Sequence, residues 1–210
     1  MSPTDFLKIN VLFNIHMYKK LNITENHLQV LSLFTKGFNK EYYIREVKKL
    51  LNISPRTSQL MLNDLEKKTV LESKIKGKIK TYKLKTSENA KEYVILTEIY
   101  KRVLFLENNL LIKEIISKIK PYIDGIGIIF GSYAKGIQKK DSDLDIFIIG
   151  DYNEKEVNKI SNLYGINLSV KKYTLKIFKD NVQKDTLIRE VLDNHIIFLG
   201  TDKFIDLVIG

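Results

Sequence analysis

The 210-residue chain contains no cysteine, which excludes disulfides and thiolate metal sites. Its histidines are His16, His27 and His195. They are too scattered to form a metal-ligand spacing, and each is expected at the surface or partly buried. No apolar run reaches the roughly eighteen residues that a membrane span needs. The N-terminus also carries no signal-peptide pattern, so a soluble, cytoplasmic protein that engages no membrane is expected. Arginine is scarce, with only Arg45, Arg56, Arg102 and Arg189 against a large excess of lysine; this reads as coding bias rather than chemistry. What is present is a globular composition, 44% apolar and 29% charged, long enough for one large domain or two small ones.

The charge is unevenly spread. Residues 1–120 hold 23 Lys and Arg against 12 Asp and Glu, whereas residues 121–210 hold 12 against 13, so the net charge of +10 lies wholly in the N-terminal part. Such an excess points to a polyanionic partner there.

Residues 1–25 fit two patterns at once. Phe6, Leu7, Val11, Leu12 and Phe13 suit a short helix after Thr4, while Ile9 and Ile15 suit alternation. From His27 onward Leu28, Leu31 and Phe34, flanked by Val30 and Leu33, predict a helix that Gly37 ends. Tyr43, Val47 and Leu50, with Ile44 and Leu51, predict a second. Ser54 is a good N-cap and Pro55 a good first residue for a third. That helix runs to about Lys68 and buries Ser58, Leu62 and Leu65; its other face carries Arg56, Thr57, Gln59 and Asn63, side chains able to reach base edges. A hairpin then turns at Gly77. Lys74, Lys76, Lys78, Lys80, Lys83 and Lys85 fall within twelve residues that include no acid.

Three helices followed by a basic hairpin, SPRTSQLMLNDLEKKTVLESKIKGKIKTYKL, resemble the recognition helix and wing of winged helix-turn-helix transcription regulators over residues 26–86. The resemblance implies a DNA-binding domain over residues 1–86. The third helix would supply any specificity, and Lys74, Lys76, Lys78 and Lys80 would supply salt-dependent phosphate contacts. The residues also fit a three-helix module whose hairpin is merely solvated or binds protein.

Ser87 caps a long helix to about Glu107 with a stripe of Tyr93, Leu96, Tyr100 and Val103. It reads as a helical linker over 87–108 that either pairs with its copy in a homodimer or packs within the monomer. A further helix (Leu111, Ile115, Ile116, Ile119) ends at Pro121.

The chain then reaches IGIIFGSYAKGIQKKDSDLDIFIIG, residues 126–150. Two apolar runs read as buried strands, and two carboxylates at the head of the second demand a reason, because unpaired buried charge costs several kcal/mol or more. At i and i+2 on a strand, Asp143 and Asp145 point to one face. That suits magnesium, which prefers one or two carboxylates plus substrate phosphates. Gly131 permits close backbone approach, and Ser132 with nearby N–H groups, opening a turn through Tyr133 to Lys135, suits phosphate oxygens. A plain hairpin with capping aspartates is the competing reading.

A strand ending in Gly-Ser, ten residues, then Asp-x-Asp entering a second strand resembles the DNA polymerase beta nucleotidyltransferase superfamily, especially its minimal members, over residues 109–210. The resemblance implies that Asp143 and Asp145 are catalytic and hold Mg²⁺, and that Gly131, Ser132 and Lys135 bind a nucleoside triphosphate such as ATP. It also implies a third carboxylate on the following strand, but INLSVKKY places Asn167 there, and no acid occurs between Glu156 and Asp180. One ion then fits better than two. Either Asp141 substitutes, or the domain binds nucleotide without efficient transfer.

The expected fold is α+β: an all-helical winged-helix domain with a hairpin wing, a helical linker, and a small mixed sheet with helices on one face. Two functions follow. One is transfer of a nucleoside monophosphate to a hydroxyl of a protein, such as a toxin-like partner, or of another acceptor. The other is a DNA-binding regulator whose nucleotidyltransferase-like domain senses ligand or is inert.

Overall fold

The computed structural model describes residues 21–209. The helix-or-strand reading around Phe6 to Phe13, and His16, lie outside the described residues.

The N-terminal unit runs α1 (Glu25–Phe34), β1 (Glu41–Tyr43), α2 (Ile44–Leu51), α3 (Pro55–Lys67), β2 (Leu71–Lys76) and β3 (Ile79–Leu84). Local chemistry sets these boundaries. The Ser54 hydroxyl accepts the Thr57 N–H at 3.0 Å, and Pro55 occupies the first helical position, where no N–H is needed. Asn52 ends α2 in the left-handed conformation, φ 52°, which asparagine tolerates better than most residues. Ser58, Leu62 and Leu65 are the buried side of α3, as expected.

The unit is not all-helical apart from a hairpin. Tyr42 and Tyr43 pair with Tyr82 and Thr81, so β1 adds a third strand in the order β1-β3-β2, antiparallel throughout. Three residues are too few to show a period of two, which hid this strand in the sequence.

Helix α4 (Glu88–Asn108) follows. Its buried residues are Ala90, Val94, Thr97 and Glu98; of the expected stripe, Tyr93 packs half-buried against the core, Leu96 and Tyr100 are half-buried, and Val103 is exposed. The reason is that α4 is gripped from several sides, by α1, by β7 (Ile196–Leu199) and by α10 (Thr201–Ile209). Small residues on its inner side suit such close packing.

The C-terminal unit continues with α5 (Leu110–Ile119), a 3₁₀ turn (Lys120–Tyr122), β4 (Ile123–Ile129), α6 (Gly131–Lys135), β5 (Leu144–Tyr152), α7 (Glu154–Tyr164), β6 (Leu168–Tyr173), α8 (Leu175–Asn181) and α9 (Thr186–Asp193), before β7 and α10. The sheet order is β6-β5-β4-β7, with β5 and β6 parallel and the other pairs antiparallel. Both of its faces are covered, not one. Ile129, Ile146 and Ile148 pack with Ile112, Ile115, Ile116 and Val157, while Ile128, Phe147 and Ile149 pack with Phe178, Ile188, Val191 and Phe204. Continuous apolar runs in the central strands are what two covered faces require.

The second of these clusters also contains Val30, Phe34, Leu62 and Leu84, so the two units share one apolar core. His27 and His195, expected at or near the surface, are both buried. Each has polar partners: His27 Nε2 lies 3.0 Å from Asp64 Oδ2, and His195 Nδ1 donates to the carbonyls of Val191 and Leu192 at 3.1 and 3.0 Å.

Candidate functional site

The site lies where β4 and β5 open. Phe130 N–H donates to the Asp145 carbonyl at 3.1 Å, closing the end of the strand pair, and the chain then turns sharply at Gly131 into α6. Gly131 has φ 67°, and a Cβ there would overlap the Asp145 carboxylate. Only glycine lets the turn close against that carboxylate. The Gly-Ser turn and the second aspartate are therefore in contact.

Asp145 is half-buried and Asp143 is exposed. The Asp145 pKa is raised, first by burial and further by the charges of Asp143 and Glu190, against the lowering influence of the Ser169 hydroxyl and Lys171. Burial and two neighbouring like charges disfavour the lone carboxylate anion here, and a cation would offset both. The two carboxylates are oxygen donors of the kind that a single magnesium ion would take.

The third-acid position is neutral. Parallel pairing sets Ser169 beside Asp145 and Leu168 beside Leu144, and the Asn167 carbonyl accepts the Leu144 N–H at 2.9 Å. Among the described residues no group of three His, Asp or Glu side chains could hold a metal. Asp141 is exposed and does not complete such a group.

Lys135 is not a free cation. Its Nζ is 2.6 Å from Glu190 Oε1 on α9. Glu190, Ser169 and Lys171 are site residues that the sequence reading missed. Ser169 and Lys171 of β6 continue the alternation from Asn167, which immediately precedes the strand, and could have been found by it; Glu190 is brought in by α9 from 45 positions beyond Asp145, with no local signal.

The expected DNA contacts divide. Arg56 and Gln59 are exposed on α3. Thr57 is half-buried with its hydroxyl 2.8 Å from that of Ser54, and Asn63 accepts the Tyr82 hydroxyl proton at 2.8 Å; both are engaged within the fold. Lys74 and Lys76 pair with Glu41, and Lys80 pairs with Glu66 at 2.6 Å and lies 4.9 Å above the Tyr82 ring. The lysine partners of Glu41, Lys74 first, hold its carboxyl down to about 2. Lys78, beside the turn, has no ion-pair partner among the described residues.

Residues 111–204 match the family model of polymerase beta nucleotidyltransferases. The matched segment begins within α5 and includes both strands of the site and all of β6, α9 and β7. No curated protein matches the chain. Two solved structures are loosely similar. One is described as a toxin-antitoxin with AMP-PNP, at 19% identity and TM-score 0.33, over 49% of this chain and 81% of that one. The other is TrmBL2, an archaeal chromatin protein with a novel mode of DNA binding, at 12% identity and TM-score 0.28, over 82% and 71%. Among the described residues no helix is long and apolar enough to cross a membrane.

Proposed function

We propose that the nucleotidyltransferase segment moves a nucleoside monophosphate from a triphosphate, ATP in the first instance, onto a hydroxyl of a partner protein or other acceptor. The observation that carries this reading is the Gly131 turn closed against the Asp145 carboxylate. Backbone N–H groups of the turn and the Ser132 hydroxyl would hold the outer phosphates. Asp143 and Asp145 would hold Mg²⁺, which when bound neutralises the triphosphate and polarises its α-phosphate. The acceptor oxygen forms a bond to the α-phosphorus, the bond to the β-bridging oxygen breaks, and pyrophosphate leaves. Asn167 and Ser169 are not bases, so the acceptor's proton passes to solvent, which favours slow turnover. Lys135 would have to exchange Glu190 for a phosphate to assist.

The N-terminal unit is proposed to be a winged helix that binds DNA. Support comes from its order of helix, strand, helix, helix and hairpin, and from the +11 charge of residues 1–120. Arg56, Gln59 and Lys78 would make the first contacts. Promoter binding and partner modification in one cytoplasmic chain would make an antitoxin-like regulator.

The neutral pair Asn167 and Ser169 favours a second reading, in which the segment binds nucleotide without efficient transfer and the protein acts as a DNA-binding regulator. Labelled ATP, Mg²⁺ and cell lysate distinguish the two. Transfer of label to an acceptor, lost in Asp143→Asn and Asp145→Asn, supports the first. ATP binding without transfer supports the second. Label transfer undiminished in both variants contradicts the metal-site assignment.

A further inference from the structure

A cleft of about 810 Å³ lies between the two units, and no residue of the Gly131 turn lines it. One wall is the turn after α1, with Phe38 and Lys40; the other is the segment from Val182 to Asp193, and α10 supplies Leu207 and Val208. The volume is in the range of clefts that bury drug-sized molecules, which commonly lie between domains.

Three features set it apart from an accidental gap. Phe38 has φ 59°, a conformation that a bulky residue adopts only when its surroundings impose it. It is imposed here from the other unit: the Gly37 N–H donates to the Leu192 carbonyl at 2.9 Å, and the Phe38 ring stacks on His195 at 5.5 Å and 16°. The wall is therefore already formed. The floor of Phe38, Val182, Leu207 and Val208 is apolar. The charges at the rim do not cancel, since Lys40 pairs with Asp193 at 2.7 Å, whereas Arg189 has no carboxylate within ion-pair distance among the described residues. Its Nε and one Nη donate to the Gln183 carbonyl at 3.2 and 2.6 Å, which fixes the guanidinium and leaves its other Nη to a ligand.

We propose that this cleft binds a small organic anion with a flat apolar body, its negative charge on the Arg189 guanidinium and its body against Phe38 and Val208. Bound there, it would touch both units at once and hold them together. Neither nucleotide transfer nor DNA binding is needed for this site, so its test stands apart from theirs.

Anilinonaphthalene sulfonate has the required shape and charge and brightens in apolar surroundings. With the full chain and no nucleotide, it is expected to bind saturably at one site. Arg189→Leu, at an exposed position, should weaken it about tenfold or more, as loss of a hydrogen bond to a charged group does. Val208→Trp should block it. Leu175→Trp, in a separate cleft lined by Ile126 and Ile149, should leave it unchanged, and uncharged phenylnaphthylamine should bind more weakly than the sulfonate. Absence of saturable binding overturns the proposal. So does affinity unchanged in Arg189→Leu, equal affinity for the uncharged analogue, or loss of binding in Leu175→Trp.

Discussion

Gly131 and Asp145 form the pair on which the site depends, because the turn closes only if position 131 carries no side chain. Gly131→Ala meets both a disfavoured φ and the carboxylate, at a cost on the order of 1–3 kcal/mol. ATP affinity measured by calorimetry should therefore fall roughly tenfold or more, with far-ultraviolet circular dichroism unchanged. Asn63 illustrates the opposite case. Its position on α3 suggested a DNA contact, yet its carbonyl oxygen is taken by the Tyr82 hydroxyl. Asn63→Ala should cost about 1 kcal/mol of stability and leave DNA affinity as it was, whereas Arg56→Ala should weaken DNA binding without affecting stability. Residue spacing could reveal the Gly-Ser and Asp-x-Asp parts because both are local and the strand period is two. It could not reveal that Asn63 is engaged, because Tyr82 arrives from 19 positions away.

At the scale of elements, α1, α2, α3, α4 and the central strands were legible because caps, a proline and long apolar runs mark them. The three-residue β1 was not, and it changes the electrostatics of the hairpin. A window of twelve residues rich in lysine and free of acid reads as a bare cationic wing. Glu41 on β1 pairs with Lys74 and Lys76, and Glu66 on α3 pairs with Lys80 and accepts the Ser73 hydroxyl proton. These exposed pairs contribute little to stability, but they compete with phosphates for the lysines. Glu41→Gln should accordingly tighten binding to duplex DNA at low salt, and steepen the dependence of log affinity on log salt by about one unit for each further phosphate that a freed lysine neutralises. A gel-shift series in which the variant binds no better than the parent would remove the hairpin from the DNA surface.

Across the whole molecule, the two units are joined by a common core and by a buried charged cluster that sequence patterns do not reveal. Glu98 and Lys101 of α4 are 2.8 Å apart, and His195 Nε2 is 3.3 Å from the second Glu98 oxygen. Nε2 is also 3.4 Å from Lys101 Nζ, and the second Glu98 oxygen has no hydrogen-bond partner among the described residues. Burial by itself would raise the Glu98 pKa, but Lys101 and His195 outweigh it and hold the carboxyl at about 2. The Lys101 pKa is lowered, by burial first and against the pull of Glu98. The carboxyl is thus the group whose ionisation the fold favours. A depressed acid pKa stabilises the fold above the unfolded value of 4.5, and that contribution is lost as pH falls toward about 2. Glu98→Gln should cost about 3–5 kcal/mol at neutral pH by stranding Lys101. It should also flatten this part of the acid-unfolding curve.

The central claim is that the Gly131 turn and the two aspartates form a working nucleotide site. The most direct measurement is calorimetric titration of the full chain with a non-hydrolysable ATP analogue, with and without Mg²⁺. The parent is expected to bind the analogue more tightly when Mg²⁺ is present, and that gain should vanish in Asp143→Asn/Asp145→Asn. Binding that is indifferent to Mg²⁺, or equally Mg²⁺-dependent in the double variant, would contradict it.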